Sequence, residues 1–205
     1  MNKKNVIIDL DGTLFDCNTF HKWMKFSFIE QLKHFDFIYP SKIGYYALLR
    51  LSKRIDHTKM KFLILKESEK ITNKAYIHKF VDSISLYINK TVQTVLFDKN
   101  KTFILATAAP KLYSESIALK YGFDYVISTK DTSRKPWSEN IREEKKKNVF
   151  LLLEENKLDT KIYELYTDHH DDLPLMKCSE YTYLVNANEK TKTIAKENNI
   201  EFIII

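Results

Sequence analysis

The stretch that most constrains this chain is Val6 to Thr13, VIIDLDGT, where a short apolar run ends in two aspartates separated by one residue. Side chains alternate along a strand, so Asp9 and Asp11 start on one side, and the glycine after them marks the strand's end. Two carboxylates this close repel unless a cation, a proton or hydrogen bonds offset them, and the pair suits a hard divalent ion such as Mg²⁺. It also offers two jobs: one carboxylate attacks an electrophilic phosphorus, and the other donates and then abstracts protons. An ordinary turn would use the same residues, so the rest of the chain has to decide.

Three further signals arrive in order. Thr102 to Pro110, TFILATAAP, is a second apolar run. It delivers Thr107 ahead of Ala108, Ala109 and Pro110, where a helix can start and where a hydroxyl and backbone N–H groups can hold phosphate oxygens; Thr107 can also serve as the N-cap. Arg142 to Lys147 opens an amphipathic helix that continues through Val149, Leu152 and Leu153. Ile162 to Thr167 is a third run and delivers Asp168, with Asp172 four residues later. Apolar runs near 5–9, 101–107, 125–128, 162–167, 181–185 and 201–205 alternate with helical stretches, which predicts a doubly wound, Rossmann-like parallel α/β sheet. Such sheets gather ligands at the carboxyl ends of their strands, and all four signals fall there.

Residues 19–87 lack such runs and show helical spacing instead, as in Trp23, Phe26 and Ile29, then Tyr45, Leu48 and Leu49, then Phe62, Leu63 and Leu65. Pro40 and Gly44 punctuate this segment, as do Asp56 to Thr58. An all-helical insertion is predicted. Its aromatic residues, Phe20, Trp23, Phe26, Phe28, Phe35, Phe37, Tyr39, Tyr45 and Tyr46, with lysines nearby, suit either a lipid-facing surface or a helical domain packed on its neighbour. Packing is the expectation, and His21 is placed either there or facing the substrate pocket.

With 205 residues, 44% of them hydrophobic, the chain can bury a full core. Two cysteines give no disulfide framework. No stretch approaches a membrane span, and the apolar run near the N-terminus is short and broken by Asp9, so a cytoplasmic enzyme is expected. The net charge is +6, but basic residues mix with glutamates along the predicted helices, so no nucleic-acid partner is expected. His169 and His170 beside Asp168 have no further Cys or His at zinc spacing and are read as loop or substrate-facing residues. Cys17 has no evident basic partner and is read as packing.

Together these motifs resemble a phosphatase of the haloacid dehalogenase superfamily. The matches are Asp9-Leu10-Asp11-Gly12-Thr13, then Thr107, Lys145, and the pair Asp168 and Asp172, and the likeness spans residue 5 to about 187. Leu184 to Ile203 resembles the close of the phosphoserine-phosphatase-like branch. REEK resembles the family's GEEK and favours Lys145, with Lys146 next and Lys147 also adjacent. Thr167 and His169 stand where the family often has Gly and Ser. The resemblance implies a core of residues 1–18 and 88–205 and a helical cap of 19–87 that selects a small phosphorylated metabolite. It implies catalysis by Asp9 as nucleophile and Asp11 as general acid and base, with phosphate held by Thr107, Ala108 and Lys145. Mg²⁺ would be held by Asp9, Asp11, Asp168 and Asp172. Asp11 favours a phosphatase over a dehalogenase, because halide needs no proton to leave. Transfer to another hydroxyl, or a non-catalytic binding role on the same scaffold, stays open, and the sequence does not name the substrate or the oligomeric state.

Overall fold

The computed structural model describes residues 3–205. Strand β1 (Lys4–Ile8) is followed by helices α1 (Thr19–Lys33), α2 (Ile38–Leu51), α3 (His57–Ile71), α4 (Lys74–Ile84) and α5 (Lys90–Val95), with a 3₁₀ turn at Ser85–Tyr87. Then come β2 (Lys101–Pro110), α6 (Lys111–Tyr121), β3 (Tyr125–Thr129), α7 (Arg142–Glu155) and β4 (Ile162–Thr167). A 3₁₀ turn at His170–Asp172, α8 (Leu173–Met176), β5 (Ser179–Leu184), α9 (Glu189–Glu197) and β6 (Phe202–Ile204) complete the chain.

The strands form one parallel sheet in the order β3-β2-β1-β4-β5-β6. The order reverses beside β1, so β1 and β4 sit together at the switch point where a crevice opens beyond the strand ends. Alternation along the strands sorts the core into two layers. Val6, Ile8, Phe103 and Leu105 face α1, α4 and α6, whereas Ile7, Ile104, Ala106 and Leu165 face α7 and α8. Each Val, Leu, Ile or Phe among them contributes about 1.5–3 kcal/mol when fully buried. On the first face Trp23, Phe80 and Tyr113 stack edge-on or tilted at 5.0–5.6 Å.

The helical stretch between β1 and β2 is built from local signals. Asn18, Asp56 and Asn73 each accept a hydrogen bond from a first-turn amide, which starts α1, α3 and α4. Its segments play different parts. Trp23 of α1 and Phe80, Val81 and Ile84 of α4 join the sheet's own core, while Phe20, Tyr39, Ile43, Met60 and Ile64 make a separate small cluster among α1, α2 and α3. Helix α3 is also clasped to the β3–α7 connection. Lys61 pairs with Glu139, Thr58 Oγ1 donates to Glu139 at 2.9 Å, the Thr132 amide donates to Glu69 at 2.8 Å, and Phe62 meets Trp137 edge-on at 5.2 Å.

Three sequence expectations need correction. Thr107 does not cap a helix: β2 runs on to Pro110, which is itself the N-cap of α6, and the pairing register with β3 slips between Ala106 and Pro110. Asp9 is the first residue past β1 and not its last. The aromatic residues of the insertion do not all pack. Phe20, Trp23 and Tyr39 are buried, Phe26 and Tyr46 half-buried, and Phe28, Phe35, Phe37 and Tyr45 exposed, because α1 and α2 bury only the faces turned to the sheet's core and to the small cluster they share with α3.

Candidate active site

The turn after β1 is wound tightly by backbone bonds from Gly12 to Phe15, Leu14 to Asp9 and Phe15 to Leu10. The Asp9 amide donates to Tyr166 of β4 at 3.0 Å, so the turn is tied to the strand that delivers the second acidic pair. Gly12 is required twice over. Its φ is +77°, and a Cβ there would stand 2.2 Å from Asp168 Oδ2. The glycine of the first motif thus leaves the space that the Asp168 carboxylate fills.

Lys145, in the first turns of α7, is buried and reaches across the strand ends. Its Nζ donates to Asp9 Oδ1 at 2.7 Å and to Asp172 Oδ2 at 2.8 Å. Asp172 lies in the 3₁₀ turn after β4 and also accepts from Thr167 Oγ1 at 2.8 Å. Asp11 accepts from the Thr19 amide at 2.7 Å, where α1 begins. Thr107 Oγ1 accepts from the Ala109 amide at 3.0 Å, leaving its own hydrogen available. Asn140 fixes this corner from behind: its Nδ2 donates to the Thr107 carbonyl, and its amide donates to Thr129 Oγ1, both at 3.0 Å. The Ala108 carbonyl accepts from Thr129 Oγ1 at 2.7 Å and from Lys61 Nζ at 3.0 Å.

All seven residues expected from the sequence, Asp9, Asp11, Thr107, Ala108, Lys145, Asp168 and Asp172, line one cavity of about 380 Å³. Of the three adjacent lysines, Lys145 is the one that enters it. The far wall comes from Phe20, His21, His57, Thr58 and Lys61 of the helical insertion and from Asn18, which caps α1, with Glu139 and Asn140 of the β3–α7 connection. His21 therefore faces the cavity. Cys17 packs against the core, and burial pushes its thiol up to about 11, which fits packing and not nucleophilic chemistry. His169 also lines the cavity; it lies with His170 and Asp171 in a half-exposed group whose ligating atoms are within 4.8 Å of one another, and Asp171 is held by Arg142 at 2.8 Å.

Sequence reasoning missed Thr19, Lys61, Glu139 and Asn140, whose parts arise only where distant segments meet. Thr167 was visible as a departure from the family pattern, but its hydroxyl bond to Asp172 was not.

Electrostatics define which group the site suits. Burial, with further repulsion from Asp172 and Asp168, pushes Asp9 up to about 8 even though Lys145 pulls the other way. Burial and the Asp172 charge push Asp168 up to about 7. Burial also raises Asp11, opposed by the Thr19 hydrogen bonds. For Lys145 burial works against the ammonium, but Asp172 and Asp9 outweigh it and its pKa stays above the ordinary value. Ionising all four converging carboxylates would thus take more positive charge than one lysine supplies. An all-oxygen donor set with excess charge fits a hard divalent cation.

Comparison with solved structures gives the fold. A protein of unknown function from Bordetella pertussis Tohama I superimposes with a TM-score of 0.79 at 17% identity, over 99% of each chain. A HAD family hydrolase from Salmonella enterica serovar Typhi gives 0.63 at 14% identity, over 98% of this chain and 67% of that one. A substrate-bound phosphoserine phosphatase complex gives 0.58 at 11% identity, over 94% of this chain and 90% of that one. No curated protein matches the sequence. The model of the haloacid dehalogenase-like hydrolases, however, matches residues 6–177, from the first strand to just past the second acidic pair. With that match covering most of its length, the chain belongs to the haloacid dehalogenase-like hydrolase family.

Proposed function

We propose that the protein is a Mg²⁺-dependent phosphatase that hydrolyses a small phosphomonoester through an aspartyl-phosphate on Asp9. The observation that carries this reading is the Lys145 ammonium held between Asp9 and Asp172 at the carboxyl ends of β1 and β4, with Asp11 and Asp168 on the same cavity. A buried nucleophile beside a fixed cation is suited to an anionic substrate, because Lys145 offsets the charge that phosphate brings in.

In the first step an Asp9 carboxylate oxygen forms a bond to phosphorus as the bond to the leaving oxygen breaks. Asp11 enters this step protonated and gives its proton to the departing alkoxide. In the second step Asp11, now ionised, takes a proton from water as the water oxygen attacks the same phosphorus. The bond to Asp9 breaks, and inorganic phosphate leaves. Thr107 donates its hydroxyl hydrogen to a phosphoryl oxygen, and Asn140 keeps that corner in place. Asp9, Asp168 and the Asp11 carbonyl would hold Mg²⁺, which supplies Lewis-acid charge neutralisation at the phosphoryl group. Asp172, with both oxygens 2.8 Å from Lys145 Nζ, would position the lysine and support the ion from behind. The helical stretch 19–87 would act as the cap, since it provides the wall facing the phosphate corner.

The test is phosphate release from a panel of phosphorylated metabolites, with Mg²⁺ or EDTA, by the wild type and Asp9→Asn. Metal-dependent release lost in the variant supports the reading; release that persists in Asp9→Asn removes it.

A further inference from the structure

Among the described residues, no element packs on the outer face of the α1–α2 hairpin. On α2, the residues Ile38, Ser41, Gly44, Tyr45, Leu48 and Leu51 form one uncharged arc, opposite the side that buries Tyr39 and Ile43. Phe35 and Phe37 in the preceding turn extend it, and Phe28, Ile29 and Leu32 of α1 are exposed as well. Phe35, Phe37, Ile38, Tyr45, Leu48 and Leu51 are each between 58% and 83% exposed. An apolar patch this continuous marks an interaction surface more often than a solvent-facing one. Phe35 sharpens the point. Its φ is +58°, a conformation that glycine or asparagine adopts at lower cost, yet the position carries the most exposed aromatic ring of the hairpin.

The charge around this patch selects the occupant. Between residues 19 and 55 there are seven lysines and arginines against two acidic residues, so this segment holds +5 of the chain's net +6. Lys25, Arg50, Lys53 and Arg54 are exposed, and among the described residues no carboxylate pairs with them. Helix α2 itself contains no acidic residue. A second copy of the chain would bring +5 against +5. An anionic bilayer accepts both features, with apolar side chains entering the headgroup boundary and basic residues meeting lipid phosphates. Among the described residues no helix is long and apolar enough to cross a membrane, and α2, with 14 residues, is about 20 Å long.

We propose that the outer face of the α1–α2 hairpin docks the protein on an anionic lipid surface, with α2 lying in the interfacial plane.

The experiment is flotation of the full chain with vesicles of phosphatidylcholine alone or with 30% phosphatidylglycerol, at low and high salt. Expected is at least tenfold more bound protein on the anionic vesicles, falling with salt. Leu48→Glu with Leu51→Glu should abolish it, and Lys53→Glu with Arg54→Glu should weaken it. Phe35→Asn should bind less while melting no lower than wild type, which separates lost docking from lost folding. Absence of binding to anionic vesicles overturns the proposal, as does binding that these variants leave unchanged. A dimer in sedimentation that Leu48→Glu dissolves, without vesicle binding, gives the surface to a second copy and equally overturns it.

Discussion

At the scale of single residues, the buried triad of Asp9, Lys145 and Asp172 sets stability and activity against each other. Asp9 is costly to ionise where it sits. In EDTA, Asp9→Asn should therefore raise the melting temperature, by roughly 2–4 °C for each kcal/mol of burial cost and repulsion removed, while turnover falls at least about a thousandfold. Thermal melts and phosphate release on the same samples check both. Lys145→Ala should act in the opposite direction on stability, because it leaves two buried carboxylates without their cation. A loss of about 3–5 kcal/mol is expected in urea unfolding at neutral pH. The positions in this triad were legible in the sequence because each follows an apolar run or opens a helix, where chemistry is exposed by the end of regular structure. Asn140 and Glu139 were not legible, since nothing local marks them; one is defined by the Thr107 carbonyl and the other by Lys61, both far away in sequence.

At the scale of elements, helices and strands were readable from spacing, and the faces they bury were less so. Tyr45, Leu48 and Ile29 gave the correct helical period, yet they point outward, because periodicity says which residues share a side and not whether another element covers it. The extension of β2 past Thr107 escaped for a related reason: Ala-Ala-Pro reads as a helix approach, but pairing of Pro110 with Thr129 keeps the backbone extended. The β1 turn carries its own test. Gly12→Ala places a methyl group 2.2 Å from an Asp168 oxygen at a backbone angle that alanine resists. Asp168 must move, so the Mg²⁺ concentration for half-maximal activity should rise at least about tenfold, measured by metal titration, with far-UV circular dichroism unchanged.

At the scale of the whole molecule, the sheet's order brings four segments to one crevice, and the charge gathered there couples folding to pH. Asp9 and Asp168 hold protons up to about 8 and about 7, well above the 3.8 of a free aspartate. The folded chain thus binds more protons than the unfolded one between about pH 4 and 8. Stability of the metal-free protein should be greatest near the acid end of that window and fall as pH rises through it. Mg²⁺ requires the ionised carboxylates, so adding it at pH 8 should raise the melting temperature more than at pH 6. A melting temperature in EDTA that climbs from pH 5 to 8 would contradict this. The alternation of strands and helices was legible from the apolar runs, whereas the clasp between α3 and the β3–α7 connection was not, because it joins side chains with no shared local pattern. That clasp also carries a light source. The chain has two tryptophans: Trp23 lies sealed in the core, and Trp137 rests against Phe62 with its indole N–H donating to the Lys130 carbonyl at 3.0 Å. A Trp23→Phe protein would emit from Trp137 alone, so its fluorescence would follow, without any added dye, each parting of the two halves that enclose the cavity.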